Sequence, residues 1–227
     1  MGIAGQIAAG LVLGYLVATL TESSLHRLIK HARSRGRAVW KRYPRVFQPF
    51  IRAYYSHHVV HHALTFRQDF VTQFRDRAEQ EQLDEQLTGE FGALIRREQY
   101  GLTLRGSGIV AFNLPIVPFV PLIGFALGPW VLLGALPGLC AYSAITIFLH
   151  PYLHRRHSEA VREAPGAIRW LLHTRYIRAA ARNHYLHHKY IRCNYNLLLG
   201  GDYLLSQHRA ATADDLEEMR RLGVPVD

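Results

Sequence analysis

The 227-residue sequence predicts an all-α integral membrane protein, with about three transmembrane helices and a cytosolic helical cap that carries a histidine-rich di-metal site. Two long stretches without charged side chains, residues 1–20 and 106–149, predict the membrane helices. The formal net charge of +10 is concentrated in the segments that adjoin these stretches. Fourteen histidines, most of them in four tight clusters, predict the metal site. We expect residues 1–227 to form a single domain with its metal-site core in residues 22–205.

The first apolar run, Ile3 to Leu20, is close to the minimum length for crossing a bilayer. A cleaved signal peptide has Lys or Arg before its apolar run and a small-residue cleavage site after it. The dipeptide that precedes this run, Met1-Gly2, carries no basic side chain. We therefore expect a retained membrane anchor over residues 3–20 with the N-terminus outside.

The second charge-free stretch suits two helices of about 20 residues each, over residues 108–127 and 129–149, joined by a tight turn at Gly128-Pro129. Pro115, Pro118 and Pro121 make the first of these helices irregular, so a re-entrant loop is an alternative. A buried helical hairpin of a soluble protein fits less well, because 44 residues without a charge exceed the length of a core helix.

The charged segments predict the topology. Residues 21–62 carry nine Lys and Arg against one acid, and residues 150–200 carry nine against two. Positively charged segments beside membrane helices stay in the cytosol, so we expect both segments on the cytoplasmic face. The ratio of 24 Arg to 3 Lys suggests a GC-rich bacterial genome, and we expect the membrane to be a bacterial inner membrane. Anionic lipid head groups explain the charge more simply than nucleic acid, for which the sequence has no motif.

Two polar stretches predict helices that we expect to be structural. Residues 75–87 read as a solvated helix, and Thr212 with Asp215 has the spacing of a capping box before a short final helix.

The four histidine clusters have spacings with a structural meaning: HX4H at 26–31, HX2HH at 58–62, HX3H at 150–154 and HX2HH at 184–188. On an α-helix the rings of HX2HH fall within an arc of about 100°, and the HX3H pair shares one face. The HX4H rings are about 140° apart, so they cannot bind one ion from a straight helix face. They would serve two neighbouring metals, or the helix would end between them. Pro151 should push His150 out of the α region, so that His150 ends the last membrane helix.

Ten histidines fit the pattern of metal ligands, which is too many for one ion and suits two ions with open positions. These are His26, His31, His58, His61, His62, His150, His154, His184, His187 and His188. All-imidazole sites suit zinc, copper, iron or nickel. We expect His57 and His157 to support the ligands or to serve as alternative ligands, and His173 and His208 to be ordinary.

The order of these motifs, with an apolar hairpin between the second and the third, resembles the fatty acid hydroxylase and sterol desaturase superfamily of membrane di-iron oxygenases. The resemblance covers residues 22–205 and includes the segment from Asn194 to Tyr203 after the last motif. It implies that all ten histidines bind metal, and that Asn196 and Asp202 hold the ligand rings in position. The gap of 29 residues between His154 and His184 is longer than expected, and the chain carries no fused haem domain.

We therefore expect a membrane-bound oxygenase that hydroxylates a C–H bond of a lipid with dioxygen, two iron ions and electrons from a separate electron-transfer protein. Iron is expected on redox grounds because zinc cannot supply electrons, although zinc is possible in the isolated protein. A lipid desaturase on the same scaffold is one alternative, and a non-catalytic metal-binding or transport protein is another. The lipid class and the oligomeric state stay open.

Overall fold

A computed structural model describes residues 1–226, which form helices and no strand. The α-helices are α1 Ile3–Leu25, α2 Ser34–Arg42, α3 Gln48–Tyr54, α4 Arg77–Gln86, α5 Gly89–Arg97, α6 Ser107–Asn113, α7 Phe119–Leu127, α8 Pro129–Ala144, α9 His150–Leu153, α10 His157–Glu163, α11 Gly166–Leu172, α12 Arg175–Tyr190, α13 Gly201–Leu204 and α14 Ala213–Leu222. Three further segments are π-helical: His26–Lys30, Tyr55–Leu64 and Ile145–Leu149. Each π-helical segment contains or adjoins one of the first three histidine motifs.

Two continuous helical rods, Ile3–Lys30 and Pro129–Leu153, are long and apolar enough to cross a membrane. Each begins as an α-helix, α1 or α8, and continues into π-helical turns. Only 22% and 39% of their most apolar windows are buried inside the protein. The outward-facing remainder forms a large apolar surface, which lipid chains would cover.

The two rods cross at close range because small residues line their contact. A Cβ added to Gly10 would overlap the carbonyl of Val131, and a Cβ added to Gly14 would overlap the backbone of Ala135. Small residues four apart let membrane helices approach in this way. Gly10 meets Val131 and Gly14 meets Ala135, so the residue numbers rise together along the two rods. The rods are therefore parallel. The first and third histidine motifs therefore stand at the same end of the bundle.

An irregular membrane helix or a re-entrant loop was expected over residues 108–127 because of its three prolines, and the segment is irregular. The segment forms two short helices, α6 and α7, with turns at Pro115 and Pro118 between them. Proline has no N–H to donate, and its ring clashes with the carbonyl four residues earlier. The broken segment still runs back along α8, because Phe112 stacks on Tyr142 with 4.3 Å between ring centroids and α7 leads directly into α8.

The helices that follow the second rod, α10 to α14, are here called the cap. Among them, α12 carries the last histidine motif. It begins at Thr174, whose hydroxyl accepts a hydrogen bond from the N–H of Ile177, and it ends at Ile191 in a left-handed conformation. Helix α14 packs on α12, and its predicted capping box of Thr212 and Asp215 is confirmed. The polar helix expected over residues 75–87 is α4.

Candidate metal centre

Nine histidine rings converge in two groups at the junction of the rods and the cap. In each group every member contributes one ring nitrogen, and these nitrogens all lie within 4.8 Å of one another. The first histidine group is His26, His31, His57, His62 and His187, and the second histidine group is His61, His154, His184 and His188. The groups are adjacent, since the rings of His62 and His188 stack with centroids 3.9 Å apart.

The first histidine group depends on π-helical turns. In a π-helix each N–H bonds to the carbonyl five residues earlier, so residues five apart become neighbours on one face. The N–H of His31 donates to the carbonyl of His26 at 2.9 Å, and the rings of this HX4H pair stack at 5.2 Å. His57 and His62 are also five residues apart, with 3.2 Å between their Nε2 atoms. Divergence of the HX4H rings was expected only on a straight α-helix, with a helix end between them as the alternative. The π-helical segment ends at Lys30, between the two histidines, and both rings belong to one group.

The same geometry exchanges the expected places of His57 and His58. His57 lies in the first histidine group, with its Nε2 atom 2.7 Å from that of His26. His58 lies in neither group, and its Nδ1 atom is 2.8 Å from Nδ1 of His31. The sequence contains a signal for this exchange, because the four-residue gap between His57 and His62 repeats the gap of the first motif.

The second histidine group combines one turn of α12 with two other segments. His184 and His188 lie four residues apart on α12, His61 comes from the second π-helical segment, and His154 follows α9. Both ring nitrogens of His61 and Nε2 of His188 are buried without a hydrogen-bond partner. Buried polar atoms are seldom left unpaired, so these nitrogens indicate a ligand such as a metal ion.

His150 lies beside the second histidine group without belonging to it. Its backbone is α-helical, with φ −52° and ψ −40°, and the helix continues to Leu153. The expectation that Pro151 ends the helix at His150 is therefore wrong. The Nε2 atom of His150 is 2.8 Å from that of His184, and so is the Nε2 atom of His154. The Nδ1 atom of His150 lies 2.8 Å from the carbonyl oxygen of Leu102, a buried contact.

Three rings are oriented by backbone carbonyls. The Nδ1 atoms of His150, His154 and His187 lie 2.8–2.9 Å from the carbonyl oxygens of Leu102, Phe70 and Cys193, respectively. A carbonyl only accepts, so each Nδ1 must carry the proton. The Nε2 lone pair of each ring is then left facing its neighbours, which is the usual arrangement around metal-binding histidines.

Asn196 and Asp202, expected to hold the ligand rings, make their hydrogen bonds to α1. The amide Nδ2 of Asn196 donates to the carbonyl of Thr19 at 2.7 Å. The carboxylate of Asp202 accepts from the Ser23 hydroxyl and from the backbone N–H of Asn196, each at 2.7 Å. The bonds to Thr19 and Ser23 fasten the chain after α12 to the last two turns of α1, which precede His26.

Glu22 is a buried residue that sequence reasoning passed over. Its carboxylate accepts hydrogen bonds from the backbone N–H groups of Leu197 and Leu198 at 3.1 and 2.9 Å and from the Asn196 amide at 3.2 Å. A lone acid in a basic segment gave no signal of this role. It is a second fastening between α1 and the segment after α12.

Two phenylalanines near the second histidine group were also missed. The ring of Phe66 stacks on His154 with 4.2 Å between centroids, and the ring of Phe70 lies 4.5 Å from His154. Both belong to the chain between the second π-helical segment and α4, where the sequence shows no motif. They shield the imidazoles on this side from water.

The remaining histidines lie apart from both groups. The His157 ring is 6.3 Å from that of His173, and its backbone N–H donates to the carbonyl of Gly223 at 2.8 Å. His208 stacks on Tyr203 at 4.0 Å.

Burial keeps the imidazoles of the cap neutral. It lowers the pKa of His61 and His188 well below the usual value, and neighbouring imidazoles lower it further. Burial also lowers the pKa of His187 to about 4, although the hydrogen bond to the carbonyl of Cys193 opposes this effect. At neutral pH these rings hold free lone pairs, which is the state that binds a metal ion.

No family model matches the chain, and no curated protein or solved structure matches it. The assignment of function therefore depends on the geometry of the two groups.

Proposed function

We propose that the protein is a membrane-bound oxygenase that uses two metal ions to hydroxylate a C–H bond of a lipid, with dioxygen and external electrons. The observation that carries the proposal is the pair of adjacent histidine groups at one end of two apolar rods. A lipid chain is an inert substrate, so its oxidation needs redox chemistry rather than acid–base chemistry.

The residues present fit metal ions. Two nitrogen ligands at about 2.1 Å from one ion, a quarter-turn apart, lie about 3.0 Å from each other. The Nε2 atoms of His26 and His57 are 2.7 Å apart, those of His57 and His62 are 3.2 Å apart, and those of His31 and His187 are 3.0 Å apart. In the second group the Nε2 atoms of His154 and His184 are 2.8 Å apart, and both ring nitrogens of His61 are buried without a partner. We assign one ion to each group.

We propose iron for both ions. Imidazole nitrogen also suits zinc, copper and nickel, so the ligands alone do not select the metal. When bound, a pair of iron ions supplies the electrons and the oxidising power that dioxygen-dependent C–H cleavage requires. Dioxygen-dependent hydroxylation also consumes electrons, and we propose that a separate electron-transfer protein delivers them.

The chain's own residues prepare the site in three ways. The carbonyls of Leu102, Phe70 and Cys193 fix the ring orientations. Burial keeps the rings neutral, and the rings of Phe66 and Phe70 exclude water from the second group. A dry and preorganised set of ligands limits side reactions of a strong oxidant.

The rods connect the site to the bilayer. His26 follows α1 directly, and His150 follows the π-helical segment that extends α8. A lipid chain that moves along the apolar surfaces of the rods therefore reaches the histidine groups at their shared end. We place this end on the cytoplasmic face because basic segments follow both rods.

Lipid profiling of cells that express the protein together with a reductase tests the proposal. We expect a lipid with one added oxygen atom, which is absent from cells that carry His61→Ala or His187→Ala. His173→Ala is the matched control, because His173 is exposed and lies outside both groups. A product that has lost two hydrogen atoms would instead indicate a desaturase on the same site. An unchanged lipid profile together with bound metal would favour a metal-binding protein without catalysis.

A further inference from the structure

A polar cleft of about 460 Å³ opens beside the second histidine group. Phe66 and His154 line it, so the cleft reaches a member of the group directly. Hydrogen-bonding side chains make up most of the remaining wall: Gln73, Gln80, Gln99, Tyr100, Arg96 and Arg155. Its volume falls in the range of small-molecule sites, roughly 300–1,000 Å³.

The wall of the cleft favours anions. Arg96 and Arg155 bring two guanidinium groups, of which that of Arg155 pairs with Glu163, and no carboxylate stands among the described residues that line the cleft. The described hydrogen bonds of Arg96 run to the neutral carbonyls of Asp84 and Leu87, and the Asp84 carboxylate accepts from the Tyr100 hydroxyl at 2.9 Å, so Arg96 supplies positive charge to the wall without a direct ion pair. Glutamine amides add donors without adding negative charge. A concave wall with positive charge concentrates small anions from solution.

Phe66 stands between the cleft and the second histidine group. Its ring stacks on His154 at 4.2 Å and meets His61 and His188 edge-on, with centroids 5.5 and 6.1 Å away. It therefore contacts three of the four members while also lining the cleft. A solute in the cleft must pass this ring to reach the buried nitrogens of His61.

The backbone around the cleft is strained. Six described non-glycine residues have a positive φ, and three of them line the cleft: Phe66 at 53°, Gln99 at 52° and Tyr100 at 58°. Positive φ is uncommon for bulky residues, and such strain tends to concentrate where function requires a particular shape. Gly101 follows with φ +90°, and a Cβ added there would lie 3.0 Å from Cβ of His61. The chain at Gln99 to Gly101 thus packs against His61 of the second histidine group and also lines the cleft.

We propose that the cleft is a solvent-side port through which small hydrophilic anions and water reach the second histidine group, and that Phe66 is its gate. The first histidine group does not line the cleft and is not served by it. The two metal sites are therefore inequivalent, because only the second exchanges ligands with the cytosolic solution by this route. This inference rests on the proposed metal binding but not on lipid oxidation.

Cobalt extraction tests the port. The full-length protein is loaded with Co²⁺, and the loss of each equivalent to the small anionic chelator dipicolinate is followed by the visible absorption of the bound ion. Phe66→Ala should speed the loss of one equivalent at least tenfold and leave the other unchanged. Gln73→Trp, which fills the cleft, should slow the same equivalent. Phe74→Ala is the matched control: it truncates a phenylalanine of the same segment whose ring packs on Tyr100 at 4.9 Å and does not line the cleft.

The outcomes separate this inference from the proposed function. Three results would overturn the port: equal effects of Phe66→Ala and Phe74→Ala, equal acceleration of both equivalents, or no acceleration at all. If the protein still binds two ions in these experiments, the proposed metal centre is unaffected. If Phe66→Ala does not fold and bind two ions, Gln73→Trp decides: slowed loss of one equivalent supports the port, and unchanged loss overturns it. A wild-type protein that binds no cobalt would overturn both the port and the metal centre.

Discussion

Replacing His57 and His58 separately should lower the metal affinity of the first histidine group by different amounts. His57 places its Nε2 atom 2.7 Å from that of His26 and 3.2 Å from that of His62, inside the group. His58 touches the group only through His31, by the 2.8 Å contact between their Nδ1 atoms. His57→Ala therefore removes a proposed ligand, whereas His58→Ala removes a neighbour that orients one.

The expected magnitudes follow from these positions. Loss of a residue that orients a metal ligand lowers affinity about 10- to 100-fold, which is about 1.4 to 2.7 kcal/mol. We expect His58→Ala to fall in this range, because His31 keeps its other contact, 3.0 Å between its Nε2 atom and that of His187. His57→Ala should lower affinity by more than about 100-fold, since one of five converging nitrogens is lost.

Competition between the protein and a chromophoric chelator for Co²⁺ measures both affinities, with the second histidine group as the internal reference. Affinity for the second ion should change little in either variant. A larger loss for His58→Ala than for His57→Ala would refute the π-helical reasoning and restore the ligand set expected from an α-helical turn.

Three further results are expected. Gly14→Ala should lower the free energy of unfolding by about 1–3 kcal/mol, because the new Cβ overlaps Ala135. Gly36→Ala is the control, since a Cβ there meets open space and should not lower the free energy of unfolding. Equal melting temperatures of the two variants in detergent would contradict the close helix contact. The metal-free protein should lose stability as the pH falls below 6.5, because burial lowers the pKa of His187 to about 4 and the unfolded chain then binds more protons than the folded one. The lowered pKa of His187 alone should reduce the free energy of unfolding by about 3 kcal/mol by pH 4. A denaturation midpoint that does not change between pH 7.5 and pH 5 would contradict the expectation that the buried rings are neutral. Asp202→Ala should cost about 1–3 kcal/mol, since it leaves the buried backbone N–H of Asn196 without its acceptor and removes one acceptor of the Ser23 hydroxyl. Faster hydrogen exchange in residues 194–207 should report this loss, and unchanged exchange would argue against the fastening to α1.

Apolar length and residue spacing predicted the parts of the fold that depend on local physics. The runs that predicted membrane helices became the rods Ile3–Lys30 and Pro129–Leu153, and the capping box of Thr212 and Asp215 formed as expected. Over residues 108–127 the prolines predicted an irregular segment, and turns at Pro115 and Pro118 separate two short helices there, so apolar length alone does not establish a membrane-crossing helix. Hydropathy measures transfer into lipid and carries no information about a missing N–H.

The histidine clusters predicted that a site exists, but the choice of individual rings needed the backbone. An α-helical turn places His58 with His61 and His62, and a π-helical turn places His57 with His62 instead. The two turns differ by one residue in their hydrogen bonds, and composition does not distinguish them. Contacts from distant segments, such as the carbonyls of Leu102 and Phe70 behind the rings, depend on tertiary packing and leave no mark in the sequence.

Metal content per chain tests the central claim most directly. The purified protein, reconstituted with ferrous iron without oxygen and freed of excess metal, should contain two iron ions per chain. The double variant His184→Ala/His188→Ala removes half of the second histidine group and should retain one ion, held by the first group. One ion or none in the wild-type protein, or two ions in the double variant, would contradict the assignment of one metal to each group.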